Sequence, residues 1–450
     1  MKSRLLTAAL AGSALAAVGT GPVHAASDQL WLDVPSQAVL AAGGTPERTL
    51  AVRVTHDNTE TGVAAGQLTV DASEIAAFAR VSWPANCVPE SAVKAVCDFP
   101  ETPAGTNSVA AAQLGLSALP DADLGASGSL RFTATAGELS AFPAETVITL
   151  GNGPDLGLSQ AEDQRDLRPG TNTRVSATVG NNGNRTVERT LLWLNASYGT
   201  DFRERHSNCE YAQHATGTSA VCVLDEAVAP GELYELTTGL RVGRKALYER
   251  FDHSVQPYSD EALEEAHGDR TWTRGTGPEL DLRLTPARRT AAGEEDLDLS
   301  DNGRVVILEA RNTADLKLTG SRARGGAGDT VTARITVYNR GPAWVASLGA
   351  GAPVATVRFQ APEGTTVVGT PEDCWTLPPS EEGPSVTTYF CWTPIYLHDR
   401  ASHTMEVRLR IDEVVRGART TVEILDDEAE LPVSKFDPNL RNNRAQIVVN

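Results

Sequence analysis

Apolar and polar residues alternate with a period of two along much of this chain, and that period predicts strands. Residues 403–411 put Met405, Val407, Leu409 and Ile411 on one face and Glu406, Arg408 and Arg410 on the other, the pattern of a half-buried strand. Residues 331–337 repeat it, with Thr332, Arg334 and Thr336 outward. Ala355, Val357 and Phe359 lead into Pro362-Glu-Gly364, a strand and its turn. Gly, Asn and Pro signals separate many such runs. Stretches long enough for crossover helices are missing nearly everywhere, which disfavours parallel sheets. Two segments break the pattern: residues 245–251 and 259–267 read as short helices, the second with Ser259 as N-cap and acidic residues in its first turn. They predict a helical insert near residues 243–275, a surface excursion between strands, with a functional lid as the alternative. The expected fold class is all-β, built of antiparallel β-sandwiches with one short helical insert.

Self-similarity sets the number of units. Cysteines recur in three pairs, Cys87 with Cys97, Cys209 with Cys222, and Cys374 with Cys391, and the second of each pair sits in a similar frame: Ala-Val-Cys97, Ala-Val-Cys222, Tyr-Phe-Cys391. Upstream, Val175-Ser-Ala-Thr-Val-Gly-Asn181-Asn-Gly183 matches Ala333-Arg-Ile-Thr-Val-Tyr-Asn339-Arg-Gly341. The first copy is weaker, with residues 50–58 followed by Gly62. A period of more than a hundred residues means tandem domains rather than a solenoid. Shared openings, Pro154-Asp-Leu-Gly-Leu and Ala314-Asp-Leu-Lys-Leu, place boundaries near 152 and 312. Three sandwiches over 26–152, 153–312 and 313–450 are expected, the insert lying in the middle one.

Residues 1–25 read as a secretory signal peptide: Lys2 and Arg4, an apolar run from Leu5 to Val18, then Val23-His24-Ala25 as a cleavage site. The run is shorter than the ~20 residues a membrane span requires. An exported protein without a membrane span is expected, secreted or held at the cell envelope. Six cysteines in an exported chain argue for disulfides. Of the fifteen connectivities open to six cysteines, the repeat selects pairing within each copy. Each short loop so closed constrains the unfolded state by ~3 kcal/mol. Zinc is disfavoured, since no Cys-x-x-Cys occurs and no histidine sits at ligand spacing.

The formal net charge is −19, and −21 once Lys2 and Arg4 are removed with the signal. Such a field repels phosphate backbones and anionic headgroups, so nucleic acid is excluded as an expected partner. The acidity is greatest in residues 26–152, with 5 basic and 14 acidic groups.

Chemistry-bearing motifs are few. Asp298-Leu-Ser300-Asp-Asn302-Gly303-Arg-Val305-Val-Ile-Leu-Glu309 satisfies the twelve-residue calcium-loop pattern. Its second half reads as an apolar closing strand, which would turn Glu309 away, so an Asx turn is expected and no metal. Nucleophile elbows, metalloprotease helices and phosphate loops are absent. His206 and His214 flank Cys209 but read as solvated loop residues, and no acid–base carboxylate pair is readable. Asn184-Arg-Thr186 and Asn195-Ala-Ser197 match the glycosylation sequon by chance. Trp375 and Trp392 each follow a cysteine of the third pair. Exposed on the face away from the sulfurs they would form a ligand platform; packing into the core or a neighbouring domain is the favoured expectation.

A strand ending Asn339-Arg-Gly-Pro342, a Pro-x-Gly turn, two cysteines, an alternating strand and a closing Asp437-Pro-Asn-Leu-Arg-Asn-Asn443 resemble the conserved repeat domain of bacterial surface and secreted proteins. That resemblance implies immunoglobulin-like sandwiches, similar in style to bacterial cell-adhesion-related domains, tied to cell envelopes and without a known catalytic role. The second unit departs from it at Asn184, where proline is expected, and the first lacks the closing motif. The resulting expectation is a non-enzymatic, adhesion-type interaction module with no cofactor and an unidentified cell-wall or extracellular protein or glycan partner. An exported hydrolase with an interdomain or insert-borne site, or a glycan-binding module, are the alternatives.

Overall fold

The structure, a computed structural model, describes residues 29–43, 47–56, 62–103, 108–159, 161–285, 302–349, 351–378, 386–426 and 432–450. The signal segment and the first residues of the calcium-loop pattern, Asp298 and Ser300, lie outside them. The chain folds as three β-sandwiches in tandem. In the first, a sheet of Leu30–Asp33, Arg48–His56, Ser108–Ala118 and Ala79–Ser82 faces one running Gln37–Ala41, Ala144–Gly151, Ser127–Ala136, Gly66–Asp71, Lys94–Phe99 and Cys87–Pro89. The second pairs Leu156–Leu158, Asn172–Asn181, Leu233–Val242 and Thr200–Phe202 against a sheet that ends Thr190–Ser197, Gly217–Leu224, Cys209–His214 and Thr273–Arg274. The third sets Ala314–Gly320, Thr330–Pro342, Ser402–Ile411 and Thr365–Gly369 against Arg322–Ala323, Arg444–Val449, Ala418–Ile424, Thr356–Gln360, Thr388–Trp392 and Cys374–Leu377.

The period-two reading describes these strands well. In Ser402–Ile411, Met405, Val407, Leu409 and Ile411 are buried, and across the ladder Ala333, Ile335 and Val337 join them in one core. Each sandwich has its own such cluster. The pairing is not wholly antiparallel. Gln37–Ala41 runs parallel to Ala144–Gly151, Gln164–Leu167 to Gly303–Ala310, and Arg322–Ala323 to Arg444–Val449. No crossover helix is needed, because the body of the sandwich itself connects the first strand to the last.

One expectation is overturned. Residues 245–251 are not a helix: the chain turns over 243–246 and enters the strand Tyr248–Pro257, which pairs on both sides. Glu249, Phe251, His253 and Val255 point inward along it. Two polar residues on the inward face break the apolar alternation, so local helix propensity dominates in the sequence while sheet pairing decides the structure. The helical insert reduces to one helix, Asp260–His267, capped by Ser259, whose side chain accepts from the Ala262 N–H.

The recurrent motifs turn out to close strand ends. Asn339 is buried; its Oδ1 accepts from the Gly341 N–H, and its Nδ2 donates to the carbonyls of Ala343 and Leu397. Asn181 does the same toward Gly183, Arg185 and Val228. Gly341 takes φ +77°, a left-handed conformation that a side chain would strain. Asp437 accepts from the N–H groups of Leu316 and Asn439 and from Asn443 Nδ2, fastening the last strand's approach to the first strand.

Candidate functional site

The three cysteine pairs stand directly opposite each other across neighbouring strands and are bonded: Cys87 to Cys97, Cys209 to Cys222 and Cys374 to Cys391, with Cα separations of 3.8, 3.9 and 4.0 Å. Each ties a strand at, or one short of, its sheet's edge to the next strand inward. The residues after the cysteines face out, and their character differs among copies. The first has Val88 and Asp98 there, the second Glu210 and Val223, and the third Trp375 and Trp392.

Both indoles are exposed, Trp375 by 44% and Trp392 by 47%, so neither packs into the core. They do not stack on one another. The Trp392 backbone N–H donates to the Asp373 carbonyl, so Trp392 stands opposite Asp373 and diagonal to Trp375 across the ladder. Between them stands Phe390, opposite Trp375 in register, with the two rings stacked at 4.2 Å and 11°. Phe390 is the site residue that the sequence reading missed. The signal was available: once Cys374 opposes Cys391, the residue opposite Trp375 must be Phe390.

The register carries this line across the sheet. Phe390 opposes Arg358, Arg358 opposes Glu423, and Glu423 opposes Arg444. Arg358 and Arg444 Nε both pair with the Glu423 carboxylate, the latter at 3.1 Å. One outer face therefore presents two indoles and a phenyl ring at its edge, then guanidinium, carboxylate and guanidinium. Two shallow concavities of about 600 and 500 Å³ flank the charged part, with Arg419 and Arg441 beside them. Among the residues lining these concavities, four arginines stand against Glu423 and Asp426, while Asp373 lies opposite Trp392 at the aromatic end.

The other candidates serve the fold. His206 and His214 sit at opposite ends of the Cys209–His214 region and are not brought together. His206 Nδ1 bonds the Pro278 carbonyl, while His214 contacts Thr216, Asn195 and Ser219. The Ser219 and His214 pair, at 3.2 Å, resembles a nucleophile and its base, but Ser219 is fully buried and Arg270 Nη1 donates to its oxygen. The third position of a triad is filled by Thr216, not a carboxylate. Burial, reinforced by Arg270, pulls His214 below its usual value.

Neither sequon asparagine is free. Asn184 accepts from the Gly153 N–H and donates to the Ala42 carbonyl, and Asn195 lies among Asp252, His214 and Ser219. Around the helix, His267 Nε2 lies 2.8 Å from Glu210 and stacks obliquely on Trp272. Among the described residues no group of three or more His, Cys, Asp or Glu side chains is placed to hold a metal ion. None of their helices is long and apolar enough to cross a membrane.

No family model matches the chain, and no curated protein matches it. Solved structures similar to it include the complex of Dpr2 Ig1-Ig2 with DIP-Theta Ig1-Ig3, at 6% identity over 94% of this chain and 99% of that one, TM-score 0.23. The Escherichia coli adhesin FdeC aligns at 12% identity over 96% and 100%, TM-score 0.19. The sixth cohesin of Acetivibrio cellulolyticus scaffoldin B, in complex with a Cel5 dockerin, aligns at 12% over 27% and 98%, TM-score 0.20. At these scores the likeness carries no statement about function.

Proposed function

We propose that this chain is a non-enzymatic interaction module of the bacterial cell envelope or its surroundings. In this reading, residues 26–152, 153–312 and 313–450 form its three domains, and the outer face of the third domain's Cys374 sheet is its contact surface. The observation that carries the reading is the line of Trp375, Phe390, Arg358, Glu423 and Arg444 with Trp392 beside it, in a position where the other two copies have no aromatic residue.

The chemistry of that face favours an acidic glycan. Sugar rings present C–H faces that lie against indoles, and their hydroxyls and carboxylates suit guanidinium groups, which bond them in a bidentate manner. The arginines around the concavities supply cations for the carboxylates of such a polymer. The resemblance of the third repeat to bacterial surface and secreted proteins, together with the signal-like residues 1–25 and three disulfides, supports an extracellular address.

Titration with a soluble uronic-acid oligosaccharide, followed by tryptophan fluorescence, tests it. Saturable quenching is expected, weakened about tenfold or more by Trp392→Ala and by Arg358→Ala, against no response to a neutral oligosaccharide. Quenching that neither substitution changes would contradict the assignment.

A further inference from the structure

A further concavity, of about 490 Å³, lies on the other sheet of the third sandwich, that of Ala314–Gly320, Thr330–Pro342 and Ser402–Ile411, and opens away from the sheet that carries Cys374. Lys317, Thr319, Tyr338, Asn339, Arg340 and Arg400 line it. None of them is acidic, whereas Glu423 lines both concavities on the opposite face.

Two departures from regular backbone bring the arginines there. Ala314 opposes Pro342 and Leu316 opposes Asn339, so the single residue Asp315 faces both Arg340 and Gly341. That is a bulge, a device that re-aims a side chain. Arg400 holds φ +61° as the third residue of the turn His398–Ala401, which the Ala401 N–H closes by donating to the His398 carbonyl at 3.1 Å. Glycine or asparagine is the ordinary choice at such a position, and a strained arginine that the turn does not require points to a task for its side chain. The turn is also clamped to the second sandwich. Asp399 pairs with Lys245 at 2.9 Å, and His398 Nε2 lies 2.8 Å from the Ala215 carbonyl oxygen.

The cations are only partly neutralised by their surroundings. Asp315 pairs with Arg340 at 3.1 Å, Asp399 is engaged by Lys245, and Glu406 by Arg334. Among the described residues Lys317 and Arg400 have no carboxylate partner. Lys317 opposes Tyr338 and Tyr338 opposes Ser402, so the phenol ring, 41% exposed, stands between Lys317 and the strand that follows Arg400.

We propose that this concavity binds the phosphate group of a phosphorylated sugar, with the sugar ring against Tyr338. A phosphate monoester carries nearly two negative charges and three acceptor oxygens, which suits three cations arriving from two strands and a turn. A carboxylate offers one charge and two coplanar oxygens, and a single arginine fork satisfies it. Lys317 supplies a compact charge, the two arginines directed donors. Tyr338 gives the ring an apolar face with a hydroxyl at its rim. The site lies on the sheet opposite Trp392 and the arginine line, so it stands whether or not that face binds a glycan.

Isothermal titration calorimetry of the full chain with glucose 6-phosphate, inorganic phosphate and glucose tests it. Glucose 6-phosphate should bind saturably, inorganic phosphate several-fold more weakly, and glucose not at all. Arg400→Gly and Lys317→Gln should each weaken glucose 6-phosphate by about tenfold or more, the loss expected for a hydrogen bond to a charged group. Arg400→Gly should do so without lowering the melting temperature, because glycine adopts the left-handed turn unstrained. Tyr338→Ala should bring glucose 6-phosphate to the affinity of inorganic phosphate and leave the latter unchanged. No binding at millimolar glucose 6-phosphate, equal binding of inorganic phosphate or of glucose, or binding that survives Arg400→Gly and Lys317→Gln overturns the proposal.

Discussion

His253 faces the core of the second sandwich, only 2% exposed, beside Phe251, and neither ring nitrogen has a hydrogen-bond partner among the described residues. Burial drives its pKa from 6.5 down to about 4. Between these values the unfolded chain binds a proton that the folded chain refuses. The stabilisation is thus complete above pH 6.5 and is lost as pH falls through about 4, with a span of about 3 kcal/mol. His253→Leu should raise the melting temperature at neutral pH, because an unsatisfied polar ring is replaced by an apolar side chain. It should also flatten the loss of stability between pH 6.5 and 4. Calorimetric melts across that range check both, and an unchanged acid slope would count against the assignment. At this scale the sequence was most readable where a residue type has one structural use. Asn339, Asn181 and Asp437 stood out as motifs because their side chains hold strand ends, not because they meet a ligand.

At the scale of elements, alternation found the strands wherever the inward face was uniformly apolar, as in Ser402–Ile411, and failed in Tyr248–Pro257, where Glu249 and His253 occupy inward positions. Pairing with Thr190–Ser197 and Gly303–Ala310 outweighs what the local residues prefer. The parallel strand in each sandwich was equally hidden, since its partner lies at the far end of the repeat. The hairpins were readable because the cysteines fixed their register. Cys209 and Cys222 join strands 13 residues apart in sequence, and closing such a loop constrains the unfolded chain by about 3 kcal/mol. The double replacement Cys209→Ala with Cys222→Ala should lower unfolding free energy by that order in denaturant melts. A loss below about 1 kcal/mol would mean that the bridge contributes little beyond the core around it.

Over the whole molecule, the repeat announced three sandwiches but not how they meet, because the joints join residues far apart in sequence. Arg48 and Asp155 form a buried ion pair between the first and second, and Asn184 donates across the same joint to Ala42. Between the second and third, the Trp344 indole donates to Glu249 at 2.6 Å, and Lys245 reaches Asp399 at 2.9 Å. Glu249 is fully buried, which pushes its carboxyl above the usual range, while donors from Ser197, Trp344, Leu247 and Gly199 hold it back. Trp375 and Trp392 were visible in the sequence, but Phe390, Arg358, Glu423 and Arg444 became part of the same face only through the register of five strands. Co-sedimentation of the full chain with native bacterial cell wall, compared between the wild type and the folded double variant Trp392→Ala with Arg358→Ala, puts that face to the test. Saturable binding by the wild type, reduced about tenfold or more in the variant, is the predicted result; no binding by the wild type, or equal binding by both, would contradict it.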